Sequence, residues 1–302
     1  EGVAVSPRAD VDPVRFVYFI GIGARPWAFQ VLSRLIYALY SPTHLFLIHV
    51  DVKAKAEIVD EILKIDAQYP NVHTLRTRRL VQWGMWSMVA IMLDAISSLL
   101  SADFDFDFLI NLSDADLALR TDAEMRSFFN RLHGRSMINV HEGGGPELIE
   151  ANKFIDAHTI VECGGYGFVV ANKTAQTFPM TAGCCVGRSG PAAFAELPLS
   201  KHPVLHTLAI HTGSQWVSIA RNFCEHLLHG PHAHALISAF ERRLVPDEAF
   251  VQTAVMHSPY KQTLLNHNMR WIYWPHQDGN AHEYWDRVGA GGRDFVGGPK
   301  VL

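Results

Sequence analysis

Near-continuous apolar runs alternate with stretches of helical periodicity along the first part of the chain. The apolar runs, which are typical of buried strands, lie at 15–22, 45–50, 72–75 and 106–112. Apolar residues recur at helical spacing over 29–39, 54–67 and 85–100. Strands that alternate with helices and are apolar throughout predict a parallel sheet covered by helices on both faces.

The pattern weakens after about residue 140. Glycine and proline cluster at 143–146 and 183–191, which indicates loops and short antiparallel strands. Helical spacing returns at 214–228 and again at 247–256. The second part of the chain is therefore predicted to be less regular than the first.

Composition narrows the classes of function. The 302 residues are 48% hydrophobic and 11% aromatic, which is ample for a large buried core. The net charge is -4 and Lys and Arg are scattered, so we expect no nucleic-acid partner. The longest apolar run, 89–100, falls short of the roughly 20 residues that span a bilayer, so we expect no membrane contact. The four cysteines lack C-x-x-C spacing, which leaves one or two disulfides open.

Strand ends are the first places to look for a ligand, because open α/β sheets bind ligands beyond the carboxyl ends of their strands. Gly21, Asp51 and the segment 114–116 lie at such ends. The segment from Gly21 to Pro26 follows a strand, but it lacks the third glycine of a dinucleotide fingerprint. An acidic residue about 20 positions further on is also missing. We interpret it as a turn beside a nucleotide rather than as an NAD site.

Asp114-Ala115-Asp116 follows an apolar strand and has two interpretations. Hard carboxylate ligands at a strand end suit Mg²⁺ or Mn²⁺ bound to a nucleotide diphosphate. Asp and Ser also occur in turns that cap the next helix. The spacing alone does not decide between a metal site and a turn.

Two further segments have a structural and a functional interpretation. His229, His232 and His234 cluster, but a zinc site would need a fixed element and a fourth ligand, so we expect a surface loop. Asp247 and Glu248 follow Pro246 at the start of a predicted helix. An acidic first turn favours the helix dipole. A carboxylate on a rigid helix start is also suited to general base catalysis.

Six segments in the same order resemble glycosyltransferase family 14, which includes core 2 N-acetylglucosaminyltransferases and protein O-xylosyltransferases. They are Leu-Ile-His-Val-Asp at 47–51, Val-Gln-Trp-Gly at 81–84, Phe-Leu-Ile-Asn-Leu-Ser-Asp-Ala-Asp at 108–116, Gly-Ser-Gln-Trp-Val-Ser at 213–218, Val-Pro-Asp-Glu-Ala-Phe at 245–250 and Asn-His-Asn-Met-Arg-Trp at 266–271. Within the family, Ile-Val-Glu-Cys at 160–163 and the Gly-Ser-Gln-Trp segment are most similar to the xylosyltransferases.

The resemblance implies a GT-A fold, with an N-terminal extension over 1–14 and a glycosyltransferase domain over 15–302. A Rossmann-like nucleotide-sugar-binding half, about 15–140, would be continuous with an acceptor-binding half, about 141–302. The resemblance also implies a UDP-sugar donor, inversion at the anomeric carbon, a protein or glycan acceptor and no required metal cofactor. It places Asp114-Ala115-Asp116 in a loop that the family does not use for metal.

Residue by residue, Glu248 matches the catalytic base of the family, and we expect Asp247 to serve mainly as a helix-start residue. The expected donor-binding residues are Val50 and Asp51 beside the nucleoside, Trp83 and Gly84 in the donor-side loop, and Asp116 and Arg120 in the sugar-side loop. The expected acceptor-binding residues are Ser214, Gln215 and Trp216.

One departure concerns the diphosphate. Where xylosyltransferases carry a basic pair, this chain has Trp274-Pro275-His276-Gln277. A metal-free enzyme must neutralise the leaving diphosphate with cations. Arg270, Arg293 and Lys300 are the candidates for that task.

The most favoured function is transfer of xylose from UDP-xylose to a serine hydroxyl. Transfer of N-acetylglucosamine or glucuronic acid onto a glycan is the nearest alternative. A non-catalytic glycan-binding relative is another, supported by the missing basic pair and opposed by the presence of Glu248. A nicotinamide-dependent oxidoreductase is a more distant one. The resemblance places a eukaryotic protein of this kind in the Golgi or the lumen of the secretory pathway.

Overall fold

The computed structural model describes residues 14–141, 159–163, 166–171, 174–177, 208–272 and 300–301. All seven elements predicted for the first part of the chain are present, with bounds within two residues of the prediction. The strands are β1 Phe16–Ile22, β2 Leu45–Val50, β3 Val72–Thr74 and β4 Phe108–Ser113. The helices are α1 Ala28–Leu39, α2 Ala56–Gln68 and α3 Ser87–Ser101.

These strands belong to a six-stranded sheet with the order β3-β2-β1-β4-β10-β6. The last two are β6 Met137–Val140 and β10 Gly213–Ala220. The first four strands run parallel, while β10 is antiparallel to both of its neighbours. The predicted parallel sheet is confirmed, and a strand from the second part of the chain lies inside it.

Helices pack on both faces of the sheet, which explains why β1 is apolar throughout. Val17 and Phe19 point into one cluster with residues of α3. Phe16, Tyr18 and Ile20 point into the other with residues of α1 and α2. Alternate side chains of a strand point to opposite faces, so a strand in the middle layer needs apolar residues at every position.

The helix predicted over 214–228 is wrong in its first half. Residues Gly213–Ala220 form β10, and only Arg221–His229 form a helix, α5. The five residues from Trp216 to Ala220 are all buried, because β10 lies between β4 and β6. A strand that is buried on both faces lacks the alternation that would distinguish it from a buried helix.

The remaining elements are short. The other helices are α4 Asp122–Asn130, α6 Ala233–Phe240 and α7 Phe250–Met256, with 3₁₀ turns at Pro246–Glu248 and Pro259–Thr263. One small sheet contains β5 Asp116–Leu117, β11 Trp271–Ile272 and β12 Lys300–Val301, and another contains β7 Thr159–Cys163, β8 Tyr166–Ala171 and β9 Thr174–Thr177. The loops predicted at 143–146 and 183–191 lie outside the described residues. Within the described ranges, no helix is long and apolar enough to cross a membrane.

Candidate functional site

A cavity of about 170 Å³ opens at the carboxyl ends of the parallel strands. The chain passes from β1 through α1 to β2 on one side, and from β3 through α3 to β4 on the other. The direction of strand order therefore reverses between β1 and β4, which is where open α/β sheets bind their ligands. Gly21 at the end of β1, Gly23 just after it, and Asn111 and Ser113 of β4 line the cavity at this point. A cavity therefore lies at the strand ends, where the sequence predicted a ligand site.

The cavity extends along the sheet edge in both directions. His49 and Asp51 close it on the β2 side, and Gln215 and Trp216 close it on the β10 side. Neighbouring strands lie about 4.8 Å apart, so the three steps from β2 to β10 span about 14 Å. One long wall is apolar and comes from α3, with Met88, Val89, Ile91 and Met92. The shape suits an elongated ligand with two different ends.

Asp51 is held at the end of β2 by its own loop. Its carboxylate accepts a hydrogen bond from the Lys53 backbone N–H at 2.8 Å, and Lys53 Nζ lies 3.4 Å away. The Arg78 guanidinium donates to the carbonyl oxygens of Val50 and Asp51 at 3.1 and 2.8 Å. Val50 has a fully buried side chain and can meet a ligand only through its backbone.

His49, which the sequence did not single out as a site residue, lines the cavity beside Asp51. Its Nε2 accepts a hydrogen bond from the Arg79 backbone N–H at 2.9 Å. Burial lowers the pKa of His49 to about 4, although Asp51 and Asp94 oppose the shift. The imidazole is therefore neutral at pH 7.

Asp114 connects the β1 turn to the end of β4. Its Oδ2 accepts from the Gly23 N–H at 3.2 Å, and its Oδ1 lies 2.9 Å from Arg25 Nη1. A Cβ on Gly23 would lie 3.3 Å from the same carboxylate, so the close approach favours glycine. These contacts favour the turn interpretation of Asp114.

Asp116 and Arg270 form an ion pair behind the cavity wall, with Nη1 and Oδ1 3.6 Å apart and both side chains 0% exposed. Asp116 Oδ2 accepts hydrogen bonds from the Ser113 N–H and hydroxyl at 2.7 and 2.8 Å. Arg270 donates to the Asn111 carbonyl at 2.8 Å, and its guanidinium lies 5.8 Å from the Trp216 ring centroid. Burial lowers the pKa of Arg270 to about 10, while Asp116 opposes that shift. The pair therefore contacts Ser113, Asn111 and Trp216, which line the cavity, but it is not part of the lining itself.

Across the described ranges, no three His, Cys, Asp or Glu side chains are grouped as metal ligands would be. The surface loop expected for the histidine cluster is wrong in part, because His229 ends α5, His232 precedes α6 and His234 lies within α6.

Only part of the expected acceptor-binding segment lines the cavity. Gln215 and Trp216 line the cavity. Ser214 instead accepts hydrogen bonds through Oγ from the Trp216 N–H at 3.2 Å and from Asn268 at 3.0 Å. Asn111 donates to the Gln215 carbonyl at 2.9 Å and accepts from the Val217 N–H at 2.8 Å. Its amide therefore fixes β10 against β4 at the cavity.

The donor-side loop is hydrogen-bonded to the turn that carries the candidate base. Trp83 is half exposed, and Gly84 has φ of 71°. The Gly84 carbonyl accepts from the Val245 N–H at 2.8 Å. Val245 has φ 50° and ψ 52°, a conformation that is an outlier for a β-branched residue. Arg243 donates to the Val245 carbonyl at 3.0 Å, so the strained backbone is held from both sides.

Asp247 and Glu248 follow in the 3₁₀ turn and face different surroundings. Asp247 lines the cavity, whereas Glu248 is exposed and is not among the residues that line it. The α-helix itself begins only at Phe250, so the predicted helix start at Asp247 is wrong.

Among the three remaining predicted cations, Arg120 does not line the cavity. Arg120 is exposed and lies 3.6 Å from Glu124 at the start of α4. The backbone of Lys300 pairs with Asp116 through β12 and β5. Arg293 lies outside the described residues.

The sequence patterns did not predict that His49, Asn111 and Asp247 would line the cavity. His49 and Asn111 are polar residues within otherwise apolar strands, and that exception to the pattern was the available signal. Asp247 had no such signal, because an acidic residue after proline also fits an ordinary helix start.

Comparisons with known proteins identify the family of this chain. A 304-residue alignment with "Xylosyltransferase oxt" of Drosophila pseudoobscura pseudoobscura has 25% identity and covers 97% of this chain and 30% of that protein. "Xylosyltransferase 1" of Homo sapiens is 25% identical over 276 residues, or 90% of this chain and 25% of that protein. The chain thus spans about a third or less of the length of these relatives.

A solved structure, the WbbM bifunctional glycosyltransferase, aligns with a TM-score of 0.37 and 9% identity over 85% of this chain and 39% of that one. The family model of the Core-2/I-Branching enzymes matches residues 24–154 and 170–294, which together make up most of the chain. With its mixed α/β sheet, the chain belongs to the Core-2/I-Branching enzyme family of glycosyltransferases.

Proposed function

We propose that the protein transfers a sugar from a UDP-sugar to an acceptor hydroxyl with inversion at the anomeric carbon. The observation that carries the proposal is a cavity at the switch point of the sheet that is lined by Asp247, with the exposed Glu248 as the next residue in the chain. The names of the relatives favour xylose as the sugar. The resemblance of residues 160–163 and 213–216 to protein O-xylosyltransferases favours a serine hydroxyl as the acceptor.

The donor lies along the sheet edge with its nucleoside near β1 and β2. This end follows from the rule that the first βαβαβ unit of such a fold binds a mononucleotide. Asp51 and His49 line that end, and Trp83 lies on the loop that reaches towards it. The sugar then lies towards β10, beside Gln215 and Trp216.

Glu248 acts as the general base. As the acceptor oxygen forms a bond to the anomeric carbon, its proton passes to the Glu248 carboxylate. The bond between the anomeric carbon and the diphosphate oxygen breaks on the opposite face, and UDP leaves with that electron pair. An exposed carboxylate suits this role, because the acceptor reaches it from solvent. The turn at Val245 holds it in place.

We further propose that donor binding needs no metal. The carboxylates of Asp114 and Asp116 already bind groups of the protein, which leaves them poorly placed to hold a cation between them and a diphosphate. Arg270 is too deeply buried to reach the diphosphate. Arg25, partly exposed beside Gly23, takes the place of Arg270 among the candidate cations.

The metal proposal is tested by titrating UDP with and without EDTA. We expect the dissociation constant to stay within about twofold. A tenfold weakening on chelation, about 1.4 kcal/mol, would restore Asp114 and Asp116 as metal ligands.

Glu248→Gln tests the main proposal. It keeps size and hydrogen bonding but cannot accept the proton, so transfer is expected to fall at least a hundredfold, within the 10²–10⁴ range of general base catalysis. UDP-sugar affinity should stay within a few-fold. Glu57→Gln, an exposed glutamate on α2, is the matched control and should transfer normally. Near-normal transfer by Glu248→Gln would place the base elsewhere.

The assay pairs UDP-xylose, UDP-N-acetylglucosamine and UDP-glucuronate with a serine-containing peptide and with a glycan acceptor. The best pair identifies the substrate class. Binding of a glycan without transfer from any donor would instead favour the non-catalytic alternative. Membership of the family also leads us to propose the secretory pathway, with the Golgi as its site, for this protein in a eukaryote.

A further inference from the structure

We infer that Glu162 is a positioning residue that holds the donor-side loop, residues 81–84, in place for binding of the donor. The inference rests on the proposed function, because its main test is the binding of UDP. Glu162 belongs to the Ile-Val-Glu-Cys segment at 160–163, which is most similar to the xylosyltransferases. The proposed function gives no role to this carboxylate.

Glu162 reaches the start of α3 from a distant part of the chain. Its Oε2 accepts a hydrogen bond from the Ser87 backbone N–H at 2.9 Å. Ser87 is the first residue of α3, and Trp86 before it provides no side-chain cap. The first N–H groups of a helix have no partner within the helix, and a carboxylate at that end also favours the helix dipole. Glu162 on β7 therefore supplies the cap that the local sequence lacks.

Ser87 connects this contact to the donor-side loop. Its Oγ accepts a hydrogen bond from the Gln82 backbone N–H at 2.9 Å. Both residues are buried, so water has little access to these bonds. Val81, which precedes Gln82, and Met88, which follows Ser87, both line the cavity. The series of hydrogen bonds from Glu162 to Gln82 thus holds one wall of the cavity.

The surroundings of Glu162 also favour a fixed carboxylate. Burial raises its pKa, while the hydrogen bonds from Ser87 and the charges of Arg79 and Lys53 oppose that shift. Lys53 in turn donates to the carbonyl of Val81 in the donor-side loop. A partly buried carboxylate needs such partners. Its removal would therefore release a contact that the loop and α3 share.

The same face of β7 also contacts the segment that leads to the candidate base. Ile160 and Glu162 are two residues apart on a strand, so their side chains point to the same side. Ile160 packs with Met85 and Leu244 in a small buried cluster. β7 thereby contacts the residue after the donor-side loop and the residues before Glu248.

The experiment measures the affinity for UDP by calorimetry. Glu162→Ala removes the carboxylate and is expected to weaken UDP by about tenfold or more, which is about 1.4 kcal/mol. Glu162→Gln keeps an acceptor oxygen for the Ser87 N–H, so its affinity should stay within about threefold of the wild type. Ser87→Ala removes the bond to Gln82 and should weaken UDP by a factor similar to that of Glu162→Ala. The double variant should be little weaker than either single variant, because both act through the same hydrogen bonds.

Glu124→Ala is the matched control. The Glu124 carboxylate also accepts a backbone N–H at a helix start, from Thr121 at 2.9 Å, but this helix is α4 and Glu124 does not line the cavity. Its loss should lower the melting temperature without changing the affinity for UDP. Hydrogen–deuterium exchange reports on the loop directly. The backbone amides of 82–87 should exchange faster in Glu162→Ala than in the wild type, and at the wild-type rate in Glu124→Ala.

The inference is overturned if Glu162→Ala binds UDP as the wild type does, if Glu124→Ala weakens UDP equally, or if exchange over 82–87 does not change. A wild type that does not bind UDP would instead overturn the proposed function, and the exchange rates would then decide whether Glu162 holds the loop. Circular dichroism melting shows whether each variant is folded. If Glu162→Ala does not fold, Ser87→Ala provides the comparison of both UDP affinity and exchange.

Discussion

Replacing Asp116 by asparagine is expected to lower the free energy of unfolding by about 3–5 kcal/mol, the usual loss when one partner of a buried ion pair is removed. The structure supports this magnitude in two ways. Arg270 and Asp116 are 3.6 Å apart, and Coulomb's law with an effective dielectric constant of about 20 gives an attraction of about 4–5 kcal/mol. Arg270 has a pKa of about 10 against its ordinary 12.5, so burial disfavours its charged form by about 3 kcal/mol even with Asp116 beside it. Asp116→Asn leaves that charge buried without its counterion.

A double-mutant cycle isolates the pair. Arg270→Met leaves Asp116 buried without its cation and should cost a similar amount. The double variant carries neither charge, and its asparagine can still accept a hydrogen bond from Ser113. Its loss should therefore be at least about 2 kcal/mol smaller than the sum of the single losses.

Urea unfolding followed by tryptophan fluorescence measures these losses, because Trp216 lies against the Arg270 guanidinium. Arg120 and Glu124 are the matched control, since they are also 3.6 Å apart but exposed. Arg120→Met should leave the unfolding midpoint unchanged, because water screens such a pair. Additive single losses, or a loss below about 1 kcal/mol for Asp116→Asn, would refute the reasoning about burial.

Three further outcomes follow from single residues. The pKa of His49 is about 4 in the folded state against 6.5 ordinarily, so the unfolded chain takes up the proton first. Stability should fall by about 3 kcal/mol at most between pH 6.5 and 4, and urea titrations at several pH values should show a smaller fall in His49→Gln. Asn111→Asp loses the amide that donates to Gln215, and urea unfolding should show a loss of about 1–3 kcal/mol. A Cβ at Gly213 would lie 1.8 Å from the Asn139 carbonyl. Thermal melting should therefore show Gly213→Ala to be destabilised by at least about 2 kcal/mol, and a wild-type melting temperature would show that β10 can shift.

Secondary structure was predicted best where the apolar positions in the local sequence are the same positions that the fold buries. α1 illustrates this, because its buried face of Leu32, Leu35, Ile36 and Leu39 repeats at helical spacing and its other positions are largely polar or exposed. β10 could not be recognised in the same way. Its burial comes from two neighbouring strands that are distant in sequence, and that environment is not written into the local pattern of Gly213–Ala220.

The candidate site shows the same limit. The motifs placed Asp51, Gln215 and Trp216 at a ligand site, and these residues line the cavity. The motifs equally included Asp116 and Arg270, which lie behind its wall. Membership of a motif does not say which way a side chain points, because that depends on the pairing of strands far apart in sequence.

The position of β10 also has a consequence for synthesis on the ribosome. β4 ends at Ser113 and its partner β10 begins at Gly213, so about a hundred residues must be added before β4 gains its second neighbour. At roughly 5–20 residues per second, this takes about 5–20 s. During that time the nascent chain presents an open, apolar strand edge next to Leu109 and Ile110. Such edges pair readily with other chains, so the yield of folded protein should rise when translation is accompanied by chaperones that cover apolar segments.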